Sequence, residues 1–220
     1  MSNSKAVTRT QRLTLFTAAI VILVALGAFL YLQLRPEPSL SVQDGGYEGQ
    51  PTLGDARAPV KLVLFENFLC ERCKLFETDT FGPLKRDYVD TGKVEVYYVN
   101  LAWGDETAVT AGRAGECAFE QNAAAFWPYK SALFAAQGAD GWATLDKVLK
   151  VAEDVEGLRA TELRTCITEG QTQAEVTKDV TLADYVGVTG TPSVIIGKQG
   201  FEAPSYEDLK AQIDAQLAAD

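Results

Sequence analysis

The chain is 220 residues long and 47% hydrophobic, enough to bury a core in one domain of ordinary size and unlike the composition of a disordered chain. Its 20 basic and 30 acidic residues leave a net charge of −10, which opposes binding to nucleic acid or anionic lipid headgroups. Histidine is absent, which excludes Ser-His and Cys-His catalysis and removes the commonest zinc ligand.

Residues 13–34, LTLFTAAIVILVALGAFLYLQL, form an uncharged run of 22, long enough to cross a bilayer as a helix. Lys5, Arg9 and Arg12 precede it, which assigns residues 1–12 to the cytoplasm and the rest of the chain to the far side. A cleaved secretory signal is the main rival, but such a segment is as a rule shorter and ends on small residues. This one ends FLYLQLRPEP. A buried core helix is the third reading. The expectation is an uncleaved, single-pass anchor in the cell membrane, with the C-terminal domain outside the cytoplasm. Beyond Arg35 the chain carries 16 basic residues and all 30 acidic ones, a net charge of −14. Such a surface reads as solubilising.

Residues 35–58 are rich in Pro, Gly and polar residues and lack a period. They read as a flexible linker spanning roughly 25 Å, with one folded domain over residues 59–220. Within it, VKLVLFENF (60–68) predicts a buried strand. Residues 70–90 predict a helix, broken at Gly82-Pro83. KVEVYYVNL (93–101) predicts a second strand, which completes a βαβ unit. Residues 105–186 turn Ala-rich, with breaks near Gly138, Gly141, Gly157 and Gly170. They predict an inserted lobe of four or five helices. SVIIG (193–197), a short strand around Phe201 and a closing acidic helix follow.

Two of the four cysteines, Cys70 and Cys73, sit at the strand-to-helix turn in ENFLCERCKLF. Three readings compete: half of a zinc site, a small structural disulfide, or a redox dithiol. Zinc would need all four cysteines, with gaps of 2, 43 and 48 residues, whereas zinc sites are usually built from two close pairs. A disulfide across so short a loop restricts little chain entropy and is a poor staple. A thiolate at a helix N-terminus, by contrast, meets unpaired N–H groups and the positive end of the macrodipole, which lowers its pKa. No phosphate-binding glycine motif is present, and no cofactor is expected.

Taken together, C-x-x-C at a helix start, a helical insertion and then GVTGTPSVIIG (187–197) resemble the DsbA-like branch of the thioredoxin superfamily over roughly residues 58–218. The resemblance implies an α/β thioredoxin-like fold with an inserted helical lobe. It implies a protein thiol:disulfide oxidoreductase in which Cys70 is the exposed nucleophile and Cys73 resolves the mixed disulfide. It also implies that Pro192 is cis and lies against the dithiol, leaving the Thr191 backbone to pair with an extended substrate. Read from the residues alone, Thr191-Pro192 is a turn at a strand entry. The partners implied are exported protein thiols or disulfides and an integral-membrane redox protein, with the chain itself a monomer.

Cys117 and Cys166 both fall in the lobe and are expected to pair, closing a loop of about 50 residues worth roughly 4 kcal/mol. A second redox centre or two buried free thiols are the alternatives. Phe126, Trp127 and Tyr129 are expected to pack the lobe core, with a peptide-binding role as the minority reading.

The chain departs from the family at two points. Leu64 stands six residues before the first cysteine, where many relatives carry a buried acid, and Glu66, the nearest carboxylate, is left without a role. Glu71 and Arg72 stand between the cysteines. Arg72 is expected to lower the Cys70 pKa and Glu71 to raise it by about half a unit. The balance puts Cys70 nearer 6 than the unperturbed value of about 8.5. This favours disulfide donation, with an extracytoplasmic reductase or a non-catalytic binding domain as the alternatives.

Overall fold

The computed structural model describes residues 9–34, 46–138 and 142–219, and within the first helix the side chains of residues 18–31. The expected cytoplasmic segment lies mostly outside these residues, as do linker residues 35–45 and Gly141. Two units are distinct, residues 1–37 and 38–220.

The first unit contains helix α1, Arg9–Leu34. Its described side chains are all exposed and apolar around the whole circumference. A helix of that kind finds its stable place in an apolar surrounding. Among the described residues no helix is long and apolar enough to cross a membrane.

The second unit is built on a five-stranded sheet in the order β1-β3-β2-β4-β5. The strands are β1 Thr52–Leu53, β2 Val60–Glu66, β3 Val94–Asn100, β4 Ser193–Ile196 and β5 Gln199–Glu202. β2 and β3 run parallel, with Val60 opposite Val94 and Glu66 opposite Asn100. The other three pairings are antiparallel. β2 is apolar almost throughout because both of its faces are covered. Leu62 and Leu64 point into the larger core, while Val63 and Phe65 point to the opposite face.

After β2 the chain turns into α2, Glu71–Phe76. Here the expected break is corrected. The helix continues without interruption through a π-helical turn at Glu77–Phe81, then α3, Gly82–Leu84, then a second π-helical turn at Lys85–Val89. The amide of Gly82 bonds to the Glu77 carbonyl, five residues back. The widened turn accommodates Pro83, which has no N–H to give, so the proline bulges the helix without ending it.

Five helices lie between β3 and β4: α4 Glu106–Gln121, α5 Ala123–Ala136, α6 Leu145–Glu153, α7 Ala160–Glu169 and α8 Gln173–Val186. α4 to α7 pack on one another and join the larger core. α8 lies on the other face of the sheet, where Ala183 and Val186 cover Val63, Phe65 and Val99. α9, Tyr206–Leu217, starts with a reciprocal cap between Ser205 and Asp208 and buries Leu209 and Ile213 against the larger core.

The linker reading of residues 35–58 is corrected for its second half. Residues 46–58 belong to the folded unit: Tyr47 and Ala58 are buried, and β1 pairs with β3 at Thr52–Tyr97 and Leu53–Val96. The Gln50 amide donates to Asp179 at 2.6 Å, and the Asn100 backbone N–H donates to the same carboxylate at 2.8 Å. The Trp127 indole donates to the Thr52 carbonyl at 2.9 Å. A two-residue strand carries no period to read, and every one of these partners is distant in sequence.

Candidate active site

β2 ends at Glu66, and the loop that follows is clamped from three sides. The Asn67 side chain accepts from the Leu69 N–H (2.7 Å) and donates to the Trp103 carbonyl (2.8 Å). The Gln137 amide, at the end of α5, donates to the Phe68 carbonyl at 2.7 Å. α4 comes so close that a Cβ on Gly115 would stand 2.9 Å from the Phe68 ring, which only glycine avoids. Cys70 is therefore delivered to one place, the N-cap of α2, where its carbonyl accepts from the N–H groups of Cys73 and Lys74.

The two thiols differ sharply. Cys70 is partly exposed and Cys73 is fully buried. Cys70 is lowered to about 5; the Cys73 thiol donating to its sulfur is the largest cause, and burial opposes it. Thr191 and the backbone N–H groups of Cys73 and Arg72 add to the lowering. Arg72 thus acts here through its main chain, whereas the sequence pointed to its charge. Cys73 is pushed far up, first by burial, then by its bond to Cys70 and by the charge of Glu66.

Antiparallel pairing of Phe65 with Ser193 brings the start of β4 beside the end of β2. The Thr191-Pro192 peptide just ahead of it is cis. In the thiol form, Cys70 Sγ donates to the Thr191 carbonyl at 3.3 Å. This loop is braced in turn: the Ser193 hydroxyl donates to the Gly190 carbonyl at 2.8 Å, and the Ala203 N–H donates to the Pro192 carbonyl at 2.7 Å. Beside it a groove of about 270 Å³ is lined by Arg72, Leu75, Phe76, Pro192 and Pro204 among others. Leu75 is 56% exposed at its edge. A larger hollow of about 430 Å³ runs along β4 and β5 past Val188 and Phe201 and is not lined by either active-site cysteine.

Leu64 sits deep in β2, opposite Tyr98 and Val194, and is buried. The buried acid is instead Glu66, two residues further along the same face and wholly inaccessible. It is raised to about 7, first by burial; Lys130 opposes the rise, and Glu77 and Cys70 add to it. The Lys130 ammonium stands 2.8 Å from Glu66 and also pairs with Glu77. Sequence reading left this triad unassembled. Its trace was there: Lys130 is the sole charge in the helix AAAFWPYKSALFAA.

Cys117 on α4 and Cys166 on α7 form a disulfide, with Cα atoms 6.0 Å apart. With two of the four sulfurs joined, a four-thiolate zinc site has no ligand set. Phe126, Trp127 and Tyr129 are buried together in the larger core. Trp127 stacks on Phe81 of the active-site helix at 5.8 Å, and the Tyr129 hydroxyl donates to the Val148 carbonyl at 2.8 Å.

A βαβ unit carrying a dithiol at its helix start, faced by a cis proline, defines the class of thiol:disulfide oxidoreductases. A family model described as Thioredoxin matches residues 47–215, and the chain belongs to that family, in its DsbA-like branch. It is 26% identical over 202 residues to the probable disulfide bond formation protein D of Bacillus anthracis, covering 90% of this chain and 93% of that one. It is 25% identical over 173 residues to disulfide bond formation protein D of Bacillus subtilis strain 168, covering 77% of this chain and 78% of that one. The crystal structure of oxidised BdbD from Bacillus subtilis superimposes with a TM-score of 0.74 at 25% identity, over 78% of this chain and 94% of that one. Chlamydia trachomatis DsbA shares the fold with a TM-score of 0.73 at 22% identity, over 79% and 94%.

The thiol asymmetry is directly measurable. Alkylation of the reduced protein by iodoacetamide is expected to reach half its maximal rate near pH 5, against about 8.5 for an unperturbed thiol. Cys73 should stay unmodified until the protein unfolds. A midpoint close to that of a free thiol would mean that the hydrogen bonds at Cys70 do not stabilise its thiolate.

Proposed function

We propose that this protein donates disulfides to exported proteins while held at the membrane by residues 13–34, its folded domain outside the cytoplasm. The observation that carries the direction of transfer is the pairing of a low-pKa, partly exposed Cys70 with a buried, high-pKa Cys73. Stabilising the Cys70 thiolate stabilises the reduced form and makes the disulfide a better oxidant.

The reaction starts from the oxidised pair. A client thiolate attacks Cys70 Sγ, a client–Cys70 disulfide forms and the Cys70–Cys73 bond breaks. The electron pair leaves on Cys73 Sγ, which takes up a proton. A second client thiolate then attacks the client sulfur of the mixed disulfide and releases Cys70 as a thiolate, its stable form above pH 5. The client loses two electrons and the dithiol gains them. An integral-membrane redox protein takes them on, which restores the disulfide.

Thr191 and Pro192 serve as the client platform. Their loop lies against Cys70, and the neighbouring groove offers Leu75, Phe76 and Pro204 to apolar side chains flanking a client cysteine. The uncharged run of 22 residues, with basic residues ahead of it, supports the anchored placement.

Equilibration with glutathione buffers tests the direction. The couple is expected to lie above thioredoxin's potential of about −270 mV. A value at or below that figure would make the protein an extracytoplasmic reductase.

A further inference from the structure

Arg72 lowers Cys70 through its main chain, which leaves its side chain without a task. Among the described residues of the folded unit, Arg57, Arg86, Arg113, Arg159 and Arg164 each pair with a carboxylate. Arg72 alone of its arginines has no such partner and is exposed, although beyond Arg35 the chain carries 30 acidic residues against 16 basic ones. Its side chain lines the groove beside the cis-proline loop, at the end of α2 next to Cys70. Asp79 lines the same groove, is exposed, and has no cationic partner among the described residues; it accepts only the Thr78 hydroxyl, at 2.9 Å. Glu71 is exposed too but does not line the groove. Between the two free charges lie Leu75 and Phe76, with Pro192 and Pro204 across from them. Seven helical positions place Arg72 and Asp79 roughly 10 Å apart, the span of about three residues of extended chain.

We propose that Arg72 and Asp79 are specificity-determining residues that read the order of charges in a client: a carboxylate beside the reactive cysteine, then apolar side chains, then a cation about three residues further on. The proposal rests on the redox role assigned above to Cys70 and Cys73 and names the class of client. A guanidinium holds a carboxylate through two parallel N–H donors. Asp79 accepts a lysine or arginine and repels a client laid in the opposite sense, so the groove selects by rejection as well as by attraction. Leu75 and Phe76 cover the apolar side chains between. The acidic surplus of the domain repels every acidic client from a distance, but that force is screened beyond about 10 Å at ~0.1 M salt. It also takes no account of the order of charges within one peptide. Only contacts inside the groove can do so, and they lie against the loop that carries Thr191 and Pro192.

The test uses pairs of single-cysteine peptides of identical composition and net charge. One has Glu beside the cysteine and Lys three residues beyond it; its partner has the two exchanged. Each pair is made on both flanks of the cysteine. The rate at which each peptide reduces the oxidised full-length protein is divided by its rate with a small aromatic disulfide, which removes the reactivity of the peptide thiol itself. The Glu-first order should react about two- to ten-fold faster on one flank or both, and ~1 M salt should abolish the difference. Arg72→Gln and Asp79→Asn should each bring the ratio toward one, and Arg72→Asp with Asp79→Arg should invert it. Each ratio compares two peptides on one protein, so any change at Cys70 cancels. Equal rates on both flanks, a Lys-first preference, or a preference untouched by Arg72→Gln would overturn the proposal and leave the groove to the membrane redox partner. A potential at or below thioredoxin's with the Glu-first preference intact would instead remove the oxidase reading alone.

Discussion

Replacing Cys73 by Ala is expected to leave persistent mixed disulfides between Cys70 and its clients, while Cys70→Ala should trap none and lose all disulfide transfer. At pH 7 a Cys70 lowered to about 5 holds roughly a hundred thiolates for each thiol, so the nucleophile is armed without help from a base. Cys73 at the same pH is a buried thiol. Incubated with a disulfide-bonded client, Cys73→Ala protein attacks through Cys70 and stops there, because the intramolecular attacker that would release the client is gone. A positioned group in the same turn competes with external thiols at an effective molarity on the order of 10⁵ M or more, so turnover should fall by about 10³-fold at least. The double variant should be no worse than Cys70→Ala, since the two sulfurs act as one unit. Non-reducing gels and mass spectrometry of the adducts give the readout. Equal trapping by both single variants would mean that the exposed and buried roles have been assigned to the wrong sulfurs, or to neither.

The parts of this architecture that are local in the chain were legible in the sequence. β2, with its near-continuous apolar run, and the dithiol at the following turn could be read directly, as could β3 with its Val and Tyr residues. The cis peptide at Pro192 and its approach to Cys70 came through the family resemblance, because that contact joins residues 121 positions apart. Four features were hidden for different physical reasons. β1 is two residues long and gains its strand character only from β3, more than 40 residues on. Pro83 stops an ordinary α-helix, and nothing in a linear reading announces a π-turn that makes room for it. The Glu66–Lys130–Glu77 triad draws on a strand, the active-site helix and the lobe, and a lone lysine in an apolar helix reads first as a solvated charge. α8 was read with the lobe because it is Ala- and Thr-containing like its neighbours, although it covers the sheet.

Removing the Cys117–Cys166 disulfide, as Cys117→Ala with Cys166→Ala, is expected to cost about 4 kcal/mol of stability. The bond ties α4 to α7 across a sequence separation of 49 residues, and its largest effect on the chain-entropy account is to restrict the unfolded state. For a folded unit of this size that loss corresponds to a melting temperature lower by roughly 8–16 °C. Both sulfurs are shielded from solvent, Cys117 at 2% exposure and Cys166 at 9%, so low concentrations of dithiothreitol should reduce Cys70–Cys73 well before this pair. The consequence should reach the active site without any change at the dithiol itself. α4 also packs on α5, the helix that carries Lys130, and Gly115 of α4 sits against Phe68 in the active-site loop. A lobe loosened by the lost crosslink holds the ammonium less firmly beside Glu66, and the Glu66 midpoint should drift upward from about 7, because Lys130 is the neighbour that opposes its rise. Urea denaturation of the two proteins, each with Cys70 and Cys73 oxidised, measures the first effect, and an infrared titration of the carboxylic-acid C=O stretch, with Glu66→Gln to identify the band, measures the second. A stability loss below about 1 kcal/mol would mean that packing alone holds α4 against α7 and that the crosslink is redundant to the fold.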